Sequence, residues 1–260
     1  MLNGISIQTL AKMTGGADWR LQLAHDRPHH LLMWVTRGQG RLLLDGERRG
    51  VGAHNAIFVP AGALFALELG RQGMGQAVVI PPGMTLRLPE RPRHLRIRDV
   101  RMQTELSGLI EAAHREQTGD RPLKQDALEA HAALMSVWLR RLIVQDEHVP
   151  EPRNAALRLS AQFCELVSQR YASGDAMARY AETAGVTPTH LTRSVKIATG
   201  KSAADLLTER VLYEARALLA GSTHPAKDIA RHLGFGSAAY FSRFIQTHCG
   251  KPPGQLRGAA

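Results

Sequence analysis

Arg193 and Arg243 occupy the same place in two stretches of chain that follow one plan, fifty residues apart. Thr187-Pro-Thr-His-Leu-Thr-Arg193-Ser-Val-Lys-Ile-Ala-Thr-Gly200 lies over Ser237-Ala-Ala-Tyr-Phe-Ser-Arg243-Phe-Ile-Gln-Thr-His-Cys-Gly250 without a gap, so Thr192 falls on Ser242, Leu191 on Phe241 and Val195 on Ile245. A guanidinium carries a fixed fork of donors that can meet the O6 and N7 edge of guanine, or a phosphate, through paired hydrogen bonds. An ion pair with one of the protein's own carboxylates is the competing use of such a side chain.

The elements that must hold these arginines are short helices. Each copy is preceded by an alanine four residues before a glycine, Ala181 and Gly185 in the first and Ala230 and Gly234 in the second. A helix that ends at glycine and is soon followed by another reads as a helix-turn-helix, because glycine accepts the left-handed conformation that reverses the chain. The offset of these signals is forty-nine residues, which makes the second turn one residue longer. Neither unit can bury its apolar face alone, so something must join them. The joint is a helix expected over 202–220, opened by Ser202-Ala-Ala-Asp205, a capping box with Asp in the Glu position, and stopped at Gly221. Its Leu206, Val211, Ala215, Leu218 and Leu219 can pack on both flanking units.

At 260 residues the chain has room for two domains, and 44% hydrophobic with 22% charged residues is ordinary for a globular protein. No apolar run is long enough to span a membrane, and the N-terminus lacks the basic-then-apolar pattern of a secretory signal, so a cytoplasmic protein is expected. Cys164 and Cys249 stand alone, without the spacing of a zinc site or a disulfide framework. The net charge of +10 favours polyanionic partners. Residues 154–260 carry 13 Lys and Arg against 7 Asp and Glu, a net +6, whereas the longer first part holds 20 against 16, a net +4. The charge is denser where the repeat lies.

From Arg20 to Ile80, short apolar runs fenced by Gly, Pro or Asp read as the strands of a barrel or sandwich. From Val100 the period becomes helical: Leu106, Leu109, Ile110 and Ala113, then a helix between Leu123 and Val144 whose broad apolar face could serve both the core and a partner chain. His148-Val-Pro-Glu-Pro-Arg-Asn154 breaks the pattern and reads as a linker. The expected organisation is therefore a barrel over 1–99, a helical dimerisation segment over 100–147, a linker over 148–155, and a helical domain over 156–258 with its two units near 176–199 and 226–249.

The run Ala226-Lys-Asp-Ile-Ala-Arg-His-Leu-Gly-Phe-Gly-Ser-Ala-Ala-Tyr-Phe-Ser-Arg243-Phe, followed by Gly250-Lys-Pro-Pro253 and Leu256-Arg257, resembles the signature of the AraC/XylS family of bacterial transcription regulators. The resemblance covers about the last hundred residues, and the first half is similar to the small cupin-like barrel that many members carry. It implies an α+β multidomain fold, a cupin-like β-barrel with helices followed by an all-α double helix-turn-helix. Departures are Val195 and Ile245 where Phe is usual, Tyr180 for Leu, Leu256 for Tyr, and Gln246 for a basic residue, which could remove a phosphate contact. By this resemblance the DNA-contacting positions are Thr189, His190, Thr192, Arg193 and Lys196 in the first unit and Ala238, Ala239, Ser242 and Arg243 in the second. The partner is double-stranded DNA, read in two major grooves about 34 Å apart. Ala238 and Ala239 offer only methyl groups, so the first unit is expected to carry more sequence information.

For the barrel, the family resemblance implies a small-molecule effector, and the candidate pocket residues are His30, Trp34, Arg41 and Phe58, with His29 and Phe65 as further possible lining. Adjacent His29 and His30 point to opposite faces of a strand. The alternatives are a barrel that only dimerises the chain or contacts another protein, and a metal-dependent cupin enzyme. The last lacks support, because His25, His29, His30 and His54 do not show the H-x-H spacing of metal-binding cupins. The expectation is a non-enzymatic regulator without cofactor or metal, an activator or repressor, homodimeric, with RNA polymerase as a further candidate partner.

Overall fold

The first half of the chain folds into strands because its apolar runs are short, rich in Leu, Val and Ile, and cut by tight turns. In a computed structural model, which describes residues 4–145 and 154–257, these strands are β1 (Ser6–Thr9), β2 (His30–Arg37), β3 (Gln39–Leu44), β4 (Glu47–Gly52), β5 (Asn55–Val59), β6 (Phe65–Leu69), β7 (Met74–Ile80) and β8 (Arg93–Arg96). Two short helices, α1 (Leu10–Thr14) and α2 (Trp19–Gln22), separate β1 from β2. All strand pairings are antiparallel. One sheet has the order β1-β7-β2-β5-β8 and the other β4-β3-β6.

Alternation decides what each face does. Leu31, Met33, Val35, Ile57, Val59 and Val79 of the larger sheet meet Leu42, Leu44, Val51, Phe65 and Leu67 of the smaller, which forms the interior of a flattened cupin-like barrel. The intervening residues Leu32, Trp34, Ala56, Phe58, Val78 and Ile80 face the other way and are covered by α3 (Val100–Thr118) and α4 (Lys124–Val144) through Leu106, Ile110, Ala132, Met135, Trp138 and Leu142. Both faces of β2 are therefore buried, which is why its sequence is continuously apolar instead of alternating. The two tryptophans at this junction keep their indole donors satisfied, Trp34 Nε1 by Ser107 Oγ at 3.1 Å and Trp138 Nε1 by the Met102 carbonyl at 3.1 Å.

The linker expected over 148–155 lies outside the described residues as far as 153, while Asn154 caps α5 (Ala155–Arg170) through the Leu157 amide. After it come α6 (Met177–Thr183), α7 (Pro188–Thr199), α8 (Ala203–Gly221), α9 (Ala226–His232) and α10 (Ala238–Cys249), closed by a 3-10 turn at Pro253–Leu256. They build two cores. One takes Leu159, Phe163, Val167, Tyr180, Leu191, Val195, Ala203 and Leu206 and extends into the β half through Ala24, Leu43, Leu64 and Ala66. The other takes Leu212, Ala215, Leu219, Ile229, Ala230, Leu233, Phe241 and Ile245. Of the departures from the family pattern, Val195 and Ile245 are fully buried, and Tyr180 places its hydroxyl on the Arg170 carbonyl at 2.8 Å. The smaller apolar side chains are absorbed by packing.

Candidate nucleic-acid interface

Each helix carrying a repeat arginine is built from the same local parts. Gly185 (φ 70°) and Gly234 (φ 75°) turn the chain in the left-handed region, and Thr187 and Ser237 then cap α7 and α10, accepting from the His190 amide at 3.3 Å and the Tyr240 amide at 3.1 Å. Pro188 at the start of α7 brings its φ already fixed for the helix. Both helices are 12 residues long and end at a left-handed glycine, Gly200 and Gly250. The second turn also touches the loop between α5 and α6. A methyl group on Gly174 would fall 2.6 Å from the Gly234 carbonyl oxygen, so only glycine permits this approach.

The faces of α7 and α10 follow from their period. Leu191 and Val195 in one, and Phe241 and Ile245 in the other, are buried beneath the helices. The opposite faces expose Thr189, His190, Arg193 and Lys196 in the first unit and Ala238, Ala239 and Arg243 in the second, with Thr192 and Ser242 half-buried at the edge. All nine residues singled out from sequence thus lie on outward or edge positions of two equivalent helices. The competing use of the arginines can be compared with neighbours that do pair internally. Arg170 meets Asp175 at 2.6 Å, Arg179 meets Glu182 at 2.7 Å and Arg231 meets Asp228 at 3.2 Å. Among the described residues Arg193 and Arg243 have no such partner, and both guanidiniums stand free in solvent.

Tyr240 was missed. It is 57% exposed at the first turn of α10, one helical turn before Arg243, and the repeat places it over His190. That correspondence was the signal available. Gln246, the departure from a basic residue, turns its amide back onto the Gly250 carbonyl at 3.1 Å.

The four barrel candidates are not brought together. Trp34 of β2 and Phe58 of β5 lie on the strand face that alternation turns toward α3 and α4, where both are fully packed. His30 is half-buried at the end of β2, its Nδ1 accepting from the Ala61 amide at 3.1 Å. Burial lowers its pKa, and the adjacent His29 adds to the effect. Arg41 is exposed on β3 at a shallow cleft of ≈ 500 Å³ whose lining also includes Gly50, Gly52, Asn55 and Arg96. Of the further lining residues, Phe65 faces the barrel interior. Among the described residues no three His, Cys, Asp or Glu side chains are grouped to hold a metal, and no helix is long and apolar enough to cross a membrane.

Comparison with known families agrees with this geometry. Residues 180–259 match the family described as a helix-turn-helix domain. No curated protein matches the chain. Among solved structures the chain is similar to ToxT from Vibrio cholerae O395 (10% identity, 96% of this chain and 95% of that one, TM-score 0.45). It is also similar to the C-terminal domain of AraT, a response regulator from Geobacillus stearothermophilus (25% identity, 41% and 87%, TM-score 0.37), and to the C-terminal domain of the response regulator yesN from Fusobacterium nucleatum (19%, 36% and 92%, TM-score 0.35). The family match, the signature residues and the paired capped helices together identify residues 180–259 as an AraC-type helix-turn-helix DNA-binding domain.

Proposed function

We propose that the chain is a sequence-specific transcription regulator whose α7 and α10 enter successive major grooves, with Arg193 and Arg243 as the principal base-reading groups and Thr189, His190, Thr192, Lys196, Ala238, Ala239 and Ser242 lining the contact. One observation carries this reading: two guanidiniums at the same helical position, both exposed and both without an internal partner among the described residues. The test is selection of binding sites from a random double-stranded DNA library, followed by binding of Arg193→Ala and Arg243→Ala to the selected site and to scrambled DNA. Loss confined to the selected site supports base reading, whereas equal weakening on both DNAs means phosphate contact.

In the same reading the chain works in the cytoplasm as a homodimer, with RNA polymerase as a further partner, and the β half receives a small-molecule effector. The dimer face is the outer stripe of α4, where Ala127, Ala130, Leu134, Val137, Arg141 and Val144 recur at alternating spacings of three and four. Leu134 is 53% and Val144 82% exposed. A Leu134→Glu variant is expected to sediment as a monomer where the parent is a dimer. For the effector, the cleft beside Arg41 and Arg96 is the supporting feature, since these two guanidiniums have no carboxylate partner among the described residues. Acidic metabolites that bind there would raise the melting temperature with concentration, and Arg41→Ala would abolish the rise.

A further inference from the structure

The residues of α8 divide between the two cores. Ala203 and Leu206 belong to the core shared with α5, α6, α7 and the smaller sheet, while Leu212, Ala215 and Leu219 belong to the core of α9 and α10. Arg210 stands between the two sets and is only 3% exposed. A buried guanidinium must be held by partners, and this one is held on three sides. Its Nε donates to Asp26 Oδ1 at 2.5 Å, its Nη1 donates to Glu214 Oε2 at 2.9 Å, and its Cζ lies 3.6 Å from the centre of the Tyr171 ring.

Asp26 comes from the opposite end of the sequence, in the segment between α2 and β2. Together with α2, that segment grips α8 along nearly two turns. The Ala24 amide donates to Glu209, which also holds Lys201; His25 stacks flat on Tyr213 with ring centres 4.2 Å apart; and Trp19 packs against Tyr213 and the Arg216 guanidinium. His25 is tied in turn to β6, through paired backbone hydrogen bonds with Phe65 and contact with the Phe65 ring, which belongs to the barrel interior. A continuous chain of contacts therefore runs from the barrel core through Phe65, His25 and Asp26 to the middle of the helix that joins the two DNA-reading units.

We infer that Arg210 is a positioning residue, and that the Asp26–Arg210 contact sets the angle between the two helix-turn-helix units and so the spacing of the DNA sites they read together. The inference rests on the DNA-reading function proposed above. The barrel half controls the second unit by this route, because a shift of Phe65 moves the 19–27 segment and the segment moves α8. A pair that mattered only for stability would change the melting temperature and leave spacing untouched.

Two measurements on the full chain decide it. Spin labels at Gln162→Cys on α5 and Thr247→Cys on α10, in a Cys249→Ser background, report the distance between the units. The parent is expected to give one narrow distribution, Asp26→Asn a broadened or displaced one, and Asp26→Glu, which keeps the charge, a return toward the parent. An unchanged distribution in Asp26→Asn overturns the inference. In the random double-stranded DNA selection, the parent is expected to enrich two motifs at one spacing and Asp26→Asn the same two motifs at several. A single spacing for both proteins overturns it equally. If the parent enriches no motif, the DNA-reading function falls, and the label distances alone still decide what Asp26 positions. Should Asp26→Asn fail to fold, Glu209→Gln, which loosens the adjoining hold on Ala24 and Lys201, is read by the same distances with the same two outcomes.

Discussion

At one position in α7 and in α10 stands the same arginine, yet the side chains around it differ. Thr189 and Thr192 flank Arg193 with hydroxyls, whereas Arg243 has Ala239, Ser242 and the exposed ring of Tyr240 beside it. Arg193→Ala should therefore cost about 1–3 kcal/mol of discrimination on a selected site, and Arg243→Ala less, as measured by titration against matched and scrambled duplexes. Equal losses would mean the two units read equally. A second outcome concerns the thiols. Burial pushes the Cys164 pKa up to about 12, with the Asp45 charge adding to it, while Cys249 is only half-buried and its smaller rise is opposed by Arg216. A thiol reagent at neutral pH should label Cys249 and leave Cys164 untouched until the chain unfolds. A third concerns His25, whose pKa lies well below its ordinary 6.5 because it is buried, with the Arg27 charge next in importance. Its Nδ1 meets the Leu23 carbonyl, which partly offsets the lowering, and its Nε2 accepts from Arg27 Nε at 3.2 Å, as only a neutral ring can. Below pH 6.5 the unfolded chain takes up a proton that the folded chain refuses, so stability is full above that pH and falls by up to about 1.4 kcal/mol per unit beneath it. Thermal melts from pH 7.5 to 5 should show this decline, and His25→Gln should flatten it.

Among the elements, the turns and caps were the most legible, because they depend on residues close in sequence. Ser202 and Asp205 cap α8 in both directions as the four-residue pattern implied, and Gly185 and Gly234 turn the chain where a short helix had to stop. What could not be read was the direction of side chains on β2 and β5. A run of apolar residues without alternation carries no sign of which face each one takes, so Trp34 and Phe58 passed for pocket lining when they belong beneath α3 and α4. The two turning glycines give an element-level prediction. Gly185 has open space around its missing Cβ, so Gly185→Ala should cost only the left-handed strain of about 1–2 kcal/mol. Gly234→Ala carries the same strain and drives a methyl group to 2.5 Å from the Gly174 amide nitrogen, so its melting temperature should fall clearly further. Equal falls would show that the loops part without cost.

At the level of the whole molecule, charge and periodicity divided the chain into a β half and a DNA-binding half, and the division hides how the halves are joined. Asp26 and Arg210 are 184 residues apart, and no local pattern marks either as a partner of the other. The same holds for Leu43 and Leu64, which with Ala24 and Ala66 complete a core otherwise made by α5, α6, α7 and α8. Residues 154–260 expressed alone should consequently melt well below the full chain by circular dichroism, because that shared apolar surface returns to water. A fragment as stable as the parent would make the shared core energetically idle.

The shared core also orders events in time. Leu43 and Leu64 are synthesised long before Leu191 and Val195, and the first unit cannot finish packing until the sheet that carries them is in place. The second unit has a core of its own, bordered by the later half of α8 and by Leu23, Tyr171 and Ala172. A newly made chain is therefore expected to complete its paired helix-turn-helix units last, after the β half has folded.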